Sequence, residues 1–291
     1  MTLFDTRAVR RAFGRAAPTY TAAAALQREV EQRLLEQLQY LDDRVPARVL
    51  DLGSGPGTAS AALKAKWGRK ADVIACDLAL PMLQQARGRS RMFRPIHAVQ
   101  ADACALPFAD ASIDLVFSSL CLQWVADLPR ALGELRRVMR DGGLLVFTSF
   151  GPDTLVELRE AYAQAGIAPP LSPFAAVQQV GDALVAQGFK NPVLERDLFT
   201  LTYPDTAALM RELKAIGATD ARSDRPRGLA GRGRHRAVAA AYEPLRRDGA
   251  LPSTWEVVTA MAWAPPPGAA RREAGADVAV FPADRIPIRR R

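Results

Sequence analysis

Three glycines at alternate positions, Gly53, Gly55 and Gly57, follow the run Val49-Leu50-Asp51-Leu52, and their spacing is the strongest chemical signal in this chain of 291 residues. An apolar run that breaks into alternating glycines is the pattern of a buried parallel strand turning sharply into a helix, where α/β proteins bind nucleotide-type ligands. Lacking Cβ, the glycines let a ligand approach the backbone, and open amides ahead of a helix expected over 58–66 offer donors to it. In a dinucleotide fingerprint the third glycine comes one residue later. Here the loop Gly53-Ser54-Gly55-Pro56-Gly57 also contains a proline, which has no N–H, and follows Asp51, which repels a pyrophosphate. The pattern favours a ligand with positive charge and no phosphate, although an ordinary tight turn uses the same residues. S-adenosylmethionine fits, with its sulfonium, α-ammonium and ribose.

Two further acids strengthen that expectation. Asp77 closes the run Ala71-Asp72-Val73-Ile74-Ala75-Cys76 about 20 residues past the glycine turn, where an acid accepts from both ribose hydroxyls. Asp102, in Gln100-Ala101-Asp102-Ala103, is expected to end a third strand and to accept from an adenine amino group. Each has a plainer use, Asp77 as an N-cap for a helix over 80–87 and Asp102 as a turn former before Leu106-Pro107. Asp51, Asp77 and Asp102 fall at three successive strand ends. With Leu78, Ala103 and Ser119 beside them, they complete the expected cofactor set alongside Gly53, Ser54, Gly55 and Gly57.

These residues need an open sheet to bring them to one edge. An amphipathic helix is expected over 23–41, with Leu26, Val30, Leu34, Leu35 and Leu38 at helical spacing. A fourth strand is expected over 112–119, followed by Leu122-Gln123-Trp124, then a helix over 128–139 and a fifth strand over 143–150, led in by Asp141-Gly142-Gly143. Five strands separated by helices imply a doubly wound, mostly parallel Rossmann-like α/β sheet. Beyond Phe150 helices are expected over 154–165, 174–187, 206–216 and 238–247, with strands over 193–202 and 255–263. The expected organisation is a helical cap over 1–44, a cofactor-binding core over 45–152, and remaining strands over 153–264. Lid insertions near 153–172 and 205–249 and a tail over 265–291 complete it.

Composition narrows the function classes. With 49% hydrophobic residues the chain can bury a sizeable core. No apolar run approaches a membrane span and no signal-peptide pattern follows the start, so a cytoplasmic location is expected. Cys76, Cys104 and Cys121 are too few and badly spaced for a disulfide framework, and with two histidines a metal centre is not expected. The formal net charge is +8, concentrated late in residues such as Arg222, Arg225, Arg234 and Arg236 and the terminal Arg289-Arg290-Arg291. Such a balance suits nucleic acid, an acidic membrane or an acidic protein partner, and since no aromatic interleaving accompanies the arginines, direct nucleic-acid binding is the least favoured of these. A genome that prefers arginine to lysine explains part of the same excess.

The core motifs resemble those of class I S-adenosylmethionine-dependent methyltransferases. Other stretches are similar to the malonyl-acyl-carrier-protein O-methyltransferase family of biotin synthesis. They are Phe13-Gly14-Arg15-Ala16-Ala17 with Tyr20, Leu122-Gln123-Trp124, Gly151-Pro152-Asp153-Thr154-Leu155, Leu209-Met210-Arg211, Gly228-Leu229, and Leu251-Pro252-Ser253-Thr254-Trp255. The similarity runs from about Phe13 to Trp263, with Met261 standing where that pattern leads one to expect histidine. The resemblance implies methyl transfer to the free carboxylate of a malonyl thioester on acyl carrier protein or coenzyme A, with neither nucleic acid nor membrane as partner. Such a carboxylate is ionised at neutral pH and needs no general base, which suits a chain with no evident catalytic His or Cys.

For the substrate side, Arg211 beside Tyr203 is expected to contact the carboxylate, and Tyr20 to cap cofactor and substrate. Gln123 and Trp124 are expected near the transferred methyl. Arg211 as an exposed helix residue, Tyr20 as N-terminal packing and Trp124 as core remain open. A small-molecule methyltransferase, a methyltransferase-fold arginine hydroxylase acting as an assembly factor, and a non-catalytic binding module are the other readings.

Overall fold

Asp5 starts the first helix, α1 (Thr6–Ala23), by accepting from the amides of Arg7 at 2.9 Å and Ala8 at 3.2 Å. The computed structural model describes residues 4–41, 44–92, 95–171, 173–225, 231–266, 271–273 and 276–278. The expected helix over 23–41 is shorter: the backbone breaks at Ala24, α2 (Ala25–Gln37) follows, and a 3-10 turn covers Leu38–Leu41. A separate α1 was not foreseen because its buried face consists of Ala8, Val9, Ala12, Ala16 and Ala17, too little apolar side chain to register as a stripe.

The sheet contains β1 (Arg48–Leu52), β2 (Asp72–Asp77), β3 (Ile96–Gln100), β4 (Ile113–Ser118), β5 (Met139–Phe150), β6 (Lys190–Tyr203) and β7 (Leu251–Trp263) in the order β3-β2-β1-β4-β5-β7-β6. The first five are parallel, and β7 pairs antiparallel with both β5 and β6. Alternate residues of the buried strands feed two cores. On one face Leu50, Leu52, Val116 and Phe147 pack against α5 (Leu128–Val138) and α7 (Val177–Ala186). On the other, Val49, Val73 and Phe117 pack against α2 and α3 (Thr58–Trp67), and Ala75 and Ile96 against α4 (Leu80–Gly88). Helices therefore cover both faces, the doubly wound arrangement expected.

Several boundaries differ from expectation, that of β7 among them, which starts at Leu251 rather than 255. β3 stops at Gln100, so Asp102 lies two residues past the strand, in a turn bridged to Ala105. β5 begins at Met139, and Asp141-Gly142-Gly143 forms an irregularity inside it where the register with β4 shifts between Ile113 and Leu115. The last helix, α9 (Arg232–Tyr242), starts six residues before the expected 238 and ends five before the expected 247, because the arginine-rich first turns carry no apolar stripe and, among its described side chains, only Val238 and Tyr242 are buried.

Helices α6 (Val156–Gln164), α8 (Thr206–Ala215) and α9 share one apolar cluster with α2, built from Leu26, Val30, Leu158, Leu213 and Tyr242 against Phe150 and Trp255. The joint between β5 and α6 is held by Glu256 of β7. Its buried carboxylate accepts from the Asp153 amide at 2.7 Å and pairs with Arg196, and a Cβ on Gly151 would fall 2.3 Å from the Glu256 carboxyl carbon. The Gly-Pro-Asp-Thr motif is thus a fitted hinge piece. In the tail, β8 (Arg271–Glu273) and β9 (Ala276–Val278) form a short antiparallel pair. Arg227, Gly228-Leu229 and the terminal arginines lie outside the described residues.

Candidate active site

Strand order reverses between β1 and β4, so a crevice opens outside their carboxyl ends. One wall is the Gly53 loop and the other the Ser119-Leu120-Cys121 turn, and the cleft between them has three connected lobes. The largest, about 810 Å³ with its open mouth, is walled by Asp77, Leu78, Asp102 and Ala103 from the strand ends and by Val9 of α1. A polar lobe runs between α2 and the glycine loop, lined by Gln27, Arg28, Glu31, Asp51 and Ser54. The third is mainly apolar, lined by Phe13, Leu120, Gln123, Trp124, Phe150 and Ile216. Gly53, Gly55 and Ser119 border the first two lobes, and Tyr20 alone among the described residues borders all three.

Asp77 joins β2 to the glycine loop. Its Oδ2 accepts from the Gly55 amide at 2.9 Å and its Oδ1 from the Ala79 amide at 2.7 Å, leaving further lone pairs for a ligand. It does not cap α4, whose N-cap is Ala79. Burial holds its carboxyl above the usual range, against the pull of those amides. Asp102 forms the expected turn and also borders the cleft: Oδ1 accepts from the Cys104 amide at 2.9 Å, while Oδ2 has no donor among the described residues and the side chain borders the large lobe. Asp51 accepts from the Ser60 hydroxyl at 2.5 Å, and burial pushes its carboxyl up to about 8, with the charges of Glu31 and Asp77 adding to the shift.

On the substrate side, burial raises the Tyr20 hydroxyl well above its ordinary value, with Glu31 and Asp77 reinforcing the effect. The phenol therefore stays a neutral donor, and it has no partner among the described residues. Gln123 donates Nε2 to the Leu120 carbonyl at 2.7 Å, and its buried Oε1 has no partner. Trp124 meets Phe13 edge-on at 5.3 Å and Phe4 at 6.0 Å, so it packs in an aromatic group and also lines the first and third lobes.

Two expected residues stand elsewhere. Gly57 caps α3 in the left-handed region, φ 79°, and a Cβ there would come within 2.6 Å of Ala86. It fits α3 against α4 rather than lining the cleft. Arg211 is exposed on α8 and borders none of the three lobes, and Tyr203 donates to Glu212 at 2.9 Å instead of standing by Arg211. On a helix, Arg211 lies about 200° round from Leu209 and from Leu213, the two residues α8 buries, so its outward position follows from helical spacing. Sequence reasoning also missed Glu31, Gln27 and Arg28, which the break at Ala24 turns towards the loop, and Leu120, held at φ 48° by its amide's bonds to the carbonyl and hydroxyl of Thr148.

Comparison with known proteins accounts for this arrangement. A family model described as a methyltransferase domain matches residues 50–147. The malonyl-[acyl-carrier protein] O-methyltransferase of Xylella fastidiosa is 57% identical over 290 residues, covering 99% of this chain and 98% of that protein. The chain belongs to the malonyl-[acyl-carrier protein] O-methyltransferase family. A second member, from Methylovorus, is 49% identical and covers 90% of each chain. Family similarity therefore extends through α1 and α2 and the helices beyond β5, which the methyltransferase-domain match leaves out. At the level of fold, the YcgJ protein from Bacillus subtilis superposes with a TM-score of 0.58 at 16% identity, covering 80% of this chain and 97% of that one.

Proposed function

We propose that the protein transfers a methyl group from S-adenosylmethionine to the free carboxylate of a malonyl thioester, carried by acyl carrier protein or coenzyme A. The observation that carries this reading is the meeting of three lobes at Tyr20. A sulfonium has three diverging arms. The large lobe suits the adenosine, with Asp77 at the ribose and Asp102, Leu78 and Ala103 around the adenine. The polar lobe suits the amino-acid end, and the third lobe lies where the methyl meets its acceptor. Ser54 supports the fit: its buried Oγ borders the polar lobe without a protein partner. So does Gly53, whose close contact with Cys121 leaves the loop no room for a side chain.

When bound, S-adenosylmethionine supplies an electrophilic methyl group on sulfur. The protein's part is to position the acceptor and keep water out. Tyr20 donates a neutral hydrogen bond to the acceptor carboxylate, and Gln123, whose Nε2 gives one N–H to the Leu120 carbonyl, has its second N–H to donate. Both leave more of the oxygen's lone pairs available than a bidentate arginine does. Phe13, Trp124, Phe150 and Ile216 provide apolar walls. The exposed arginines, Arg211 among them with Arg234 and Arg236 of α9, suit an acidic carrier protein at the surface.

As the resemblance implies, the methyl ester masks a charge so that chain-elongating enzymes accept the diacid, at the head of biotin synthesis. A cytoplasmic location fits these reagents, and no helix among the described residues is long and apolar enough to cross a membrane. The test is incubation with methyl-labelled cofactor and malonyl-loaded or acetyl-loaded carrier protein. Label is expected as a base-labile ester on the malonyl form alone. Absence of label on malonyl substrate, with cofactor shown to bind, overturns the reading.

A further inference from the structure

The polar lobe holds two carboxyl groups that no salt bridge among the described residues balances. Glu31 of α2 and Asp51 of β1 both border it, and neither forms a salt bridge among the described residues. Glu31 accepts from the Thr58 hydroxyl at 3.0 Å, which fixes its carboxylate over the start of α3. Arg89, on the far side of the loop, spends its Nε on the Pro56 carbonyl at 2.7 Å. Burial disfavours the charged form of Glu31, and Arg89's charge only partly opposes that. Buried carboxylates left in this state are costly unless a cation joins them.

A second, independent observation marks the same lobe. Ser54 is 5% exposed, and its hydroxyl has no partner. At the mouth, exposed Arg28 donates Nη1 to the Thr21 carbonyl at 2.5 Å, which steadies a guanidinium with donors to spare. The lobe thus offers carboxyl oxygens inside that an incoming cation would hold ionised, a free hydroxyl on one wall and positive charge at its rim. That order matches an α-amino acid presented ammonium first.

The geometry points to the helical cap as the reader of the cofactor's amino-acid end: Glu31 receives the α-ammonium, while Arg28 at the rim and Ser54 on the wall take the α-carboxylate. This rests on the cofactor proposed above and goes beyond it, since it gives α2 the task of selecting ligands that carry an intact amino acid. The sheet residues Asp77 and Asp102 then read the nucleoside half independently. A ligand that keeps the nucleoside but lacks the amino acid is blind to α2.

Calorimetry with two ligands separates these halves. S-adenosylhomocysteine carries the amino acid, and 5′-methylthioadenosine has the same nucleoside and sulfur without it. Glu31→Gln keeps an acceptor for Thr58 and removes the charge. It is expected to weaken S-adenosylhomocysteine by about tenfold or more while leaving 5′-methylthioadenosine within about twofold, the size expected for one charge-assisted contact. Arg28→Ala, at the exposed rim and safe for folding, is expected to show the same selective loss. Equal weakening of both ligands, or no weakening of either, in Arg28→Ala and in folded Glu31→Gln overturns the inference. If the unaltered protein binds neither ligand, the cofactor reading itself falls. If it binds both and the variants do not discriminate, the cofactor reading stands and this inference alone fails.

Discussion

Replacing Gly53 by alanine tests how tightly the cofactor loop is fitted to the turn that faces it. An alanine Cβ would lie 2.4 Å from both Cβ and Sγ of Cys121, against an ordinary contact of roughly 3.5–4.0 Å, so something must move by more than about 1 Å. Overpacking of this kind costs about 1–3 kcal/mol. The backbone adds to it, because Gly53 sits at φ 69°, a left-handed conformation that costs alanine about 1–2 kcal/mol. Together Gly53→Ala is expected to destabilise the ligand-free protein by about 2–5 kcal/mol. Cys121→Gly removes the colliding atoms and leaves the backbone term. In a double-mutant cycle followed by urea denaturation, the pair should therefore recover about 1–3 kcal/mol relative to additivity. An unchanged midpoint in Gly53→Ala, or strict additivity of the two substitutions, would refute the packing argument.

Tyr20→Phe removes one neutral donor to a charged acceptor, about 1.5–3 kcal/mol, so turnover on malonyl-coenzyme A at saturating cofactor should fall roughly 10- to 100-fold with cofactor affinity little changed. Unchanged turnover would take the hydroxyl out of the reaction. Raising salt from 0.1 to 1 M shortens the Debye length from about 10 to about 3 Å, and should slow reaction with malonyl-carrier protein more than with malonyl-coenzyme A. Equal sensitivity would argue against steering by Arg211, Arg234 and Arg236. Asp51 keeps its proton in the folded state up to about 8, chiefly through burial, but loses it near 3.8 when unfolded. Its contribution to ligand-free stability is therefore full below 3.8 and is lost as pH rises through 8; comparing denaturation midpoints at several pH values, Asp51→Asn should show a shallower decline than the parent protein. Parallel pH profiles would contradict the buried-acid assignment.

Much of the cofactor side was legible because it depends on local rules. The apolar run before Gly53 and the interval to Asp77 follow from a strand, a turn and a helix in sequence, and the sheet places both at the switch point. Where side chains give no period, the reading failed: the alanine face of α1 and the arginine-rich start of α9 were not recognised. Glu31 sits beside an apolar stripe, and only the turn of the chain at Ala24 reveals that it faces the glycine loop. Asp102 showed that a turn role and a place at the cleft need not exclude each other. The misplacement of Arg211 was avoidable, since the burial of Leu209 and Leu213 fixes which side of α8 looks outward.

Tyr203 and Leu251, the last residue of β6 and the first of β7, are paired neighbours in the sheet. Everything between them leaves and returns through a single doorway. Because the cost of closing a loop rises only slowly with its length, the exposed turns within residues 204–250 can change length at little cost, provided the buried faces of α8 and α9, with Leu209, Leu213 and Tyr242, keep their packing on Phe150 and Trp255. The nucleoside-facing acids and the glycine loop lie on other strands. Evolution can thus retailor what covers the acceptor lobe while inheriting the methyl-donor half intact, and a chimera exchanging residues 204–250 between relatives is a practical way to move acceptor preference from one chain to another.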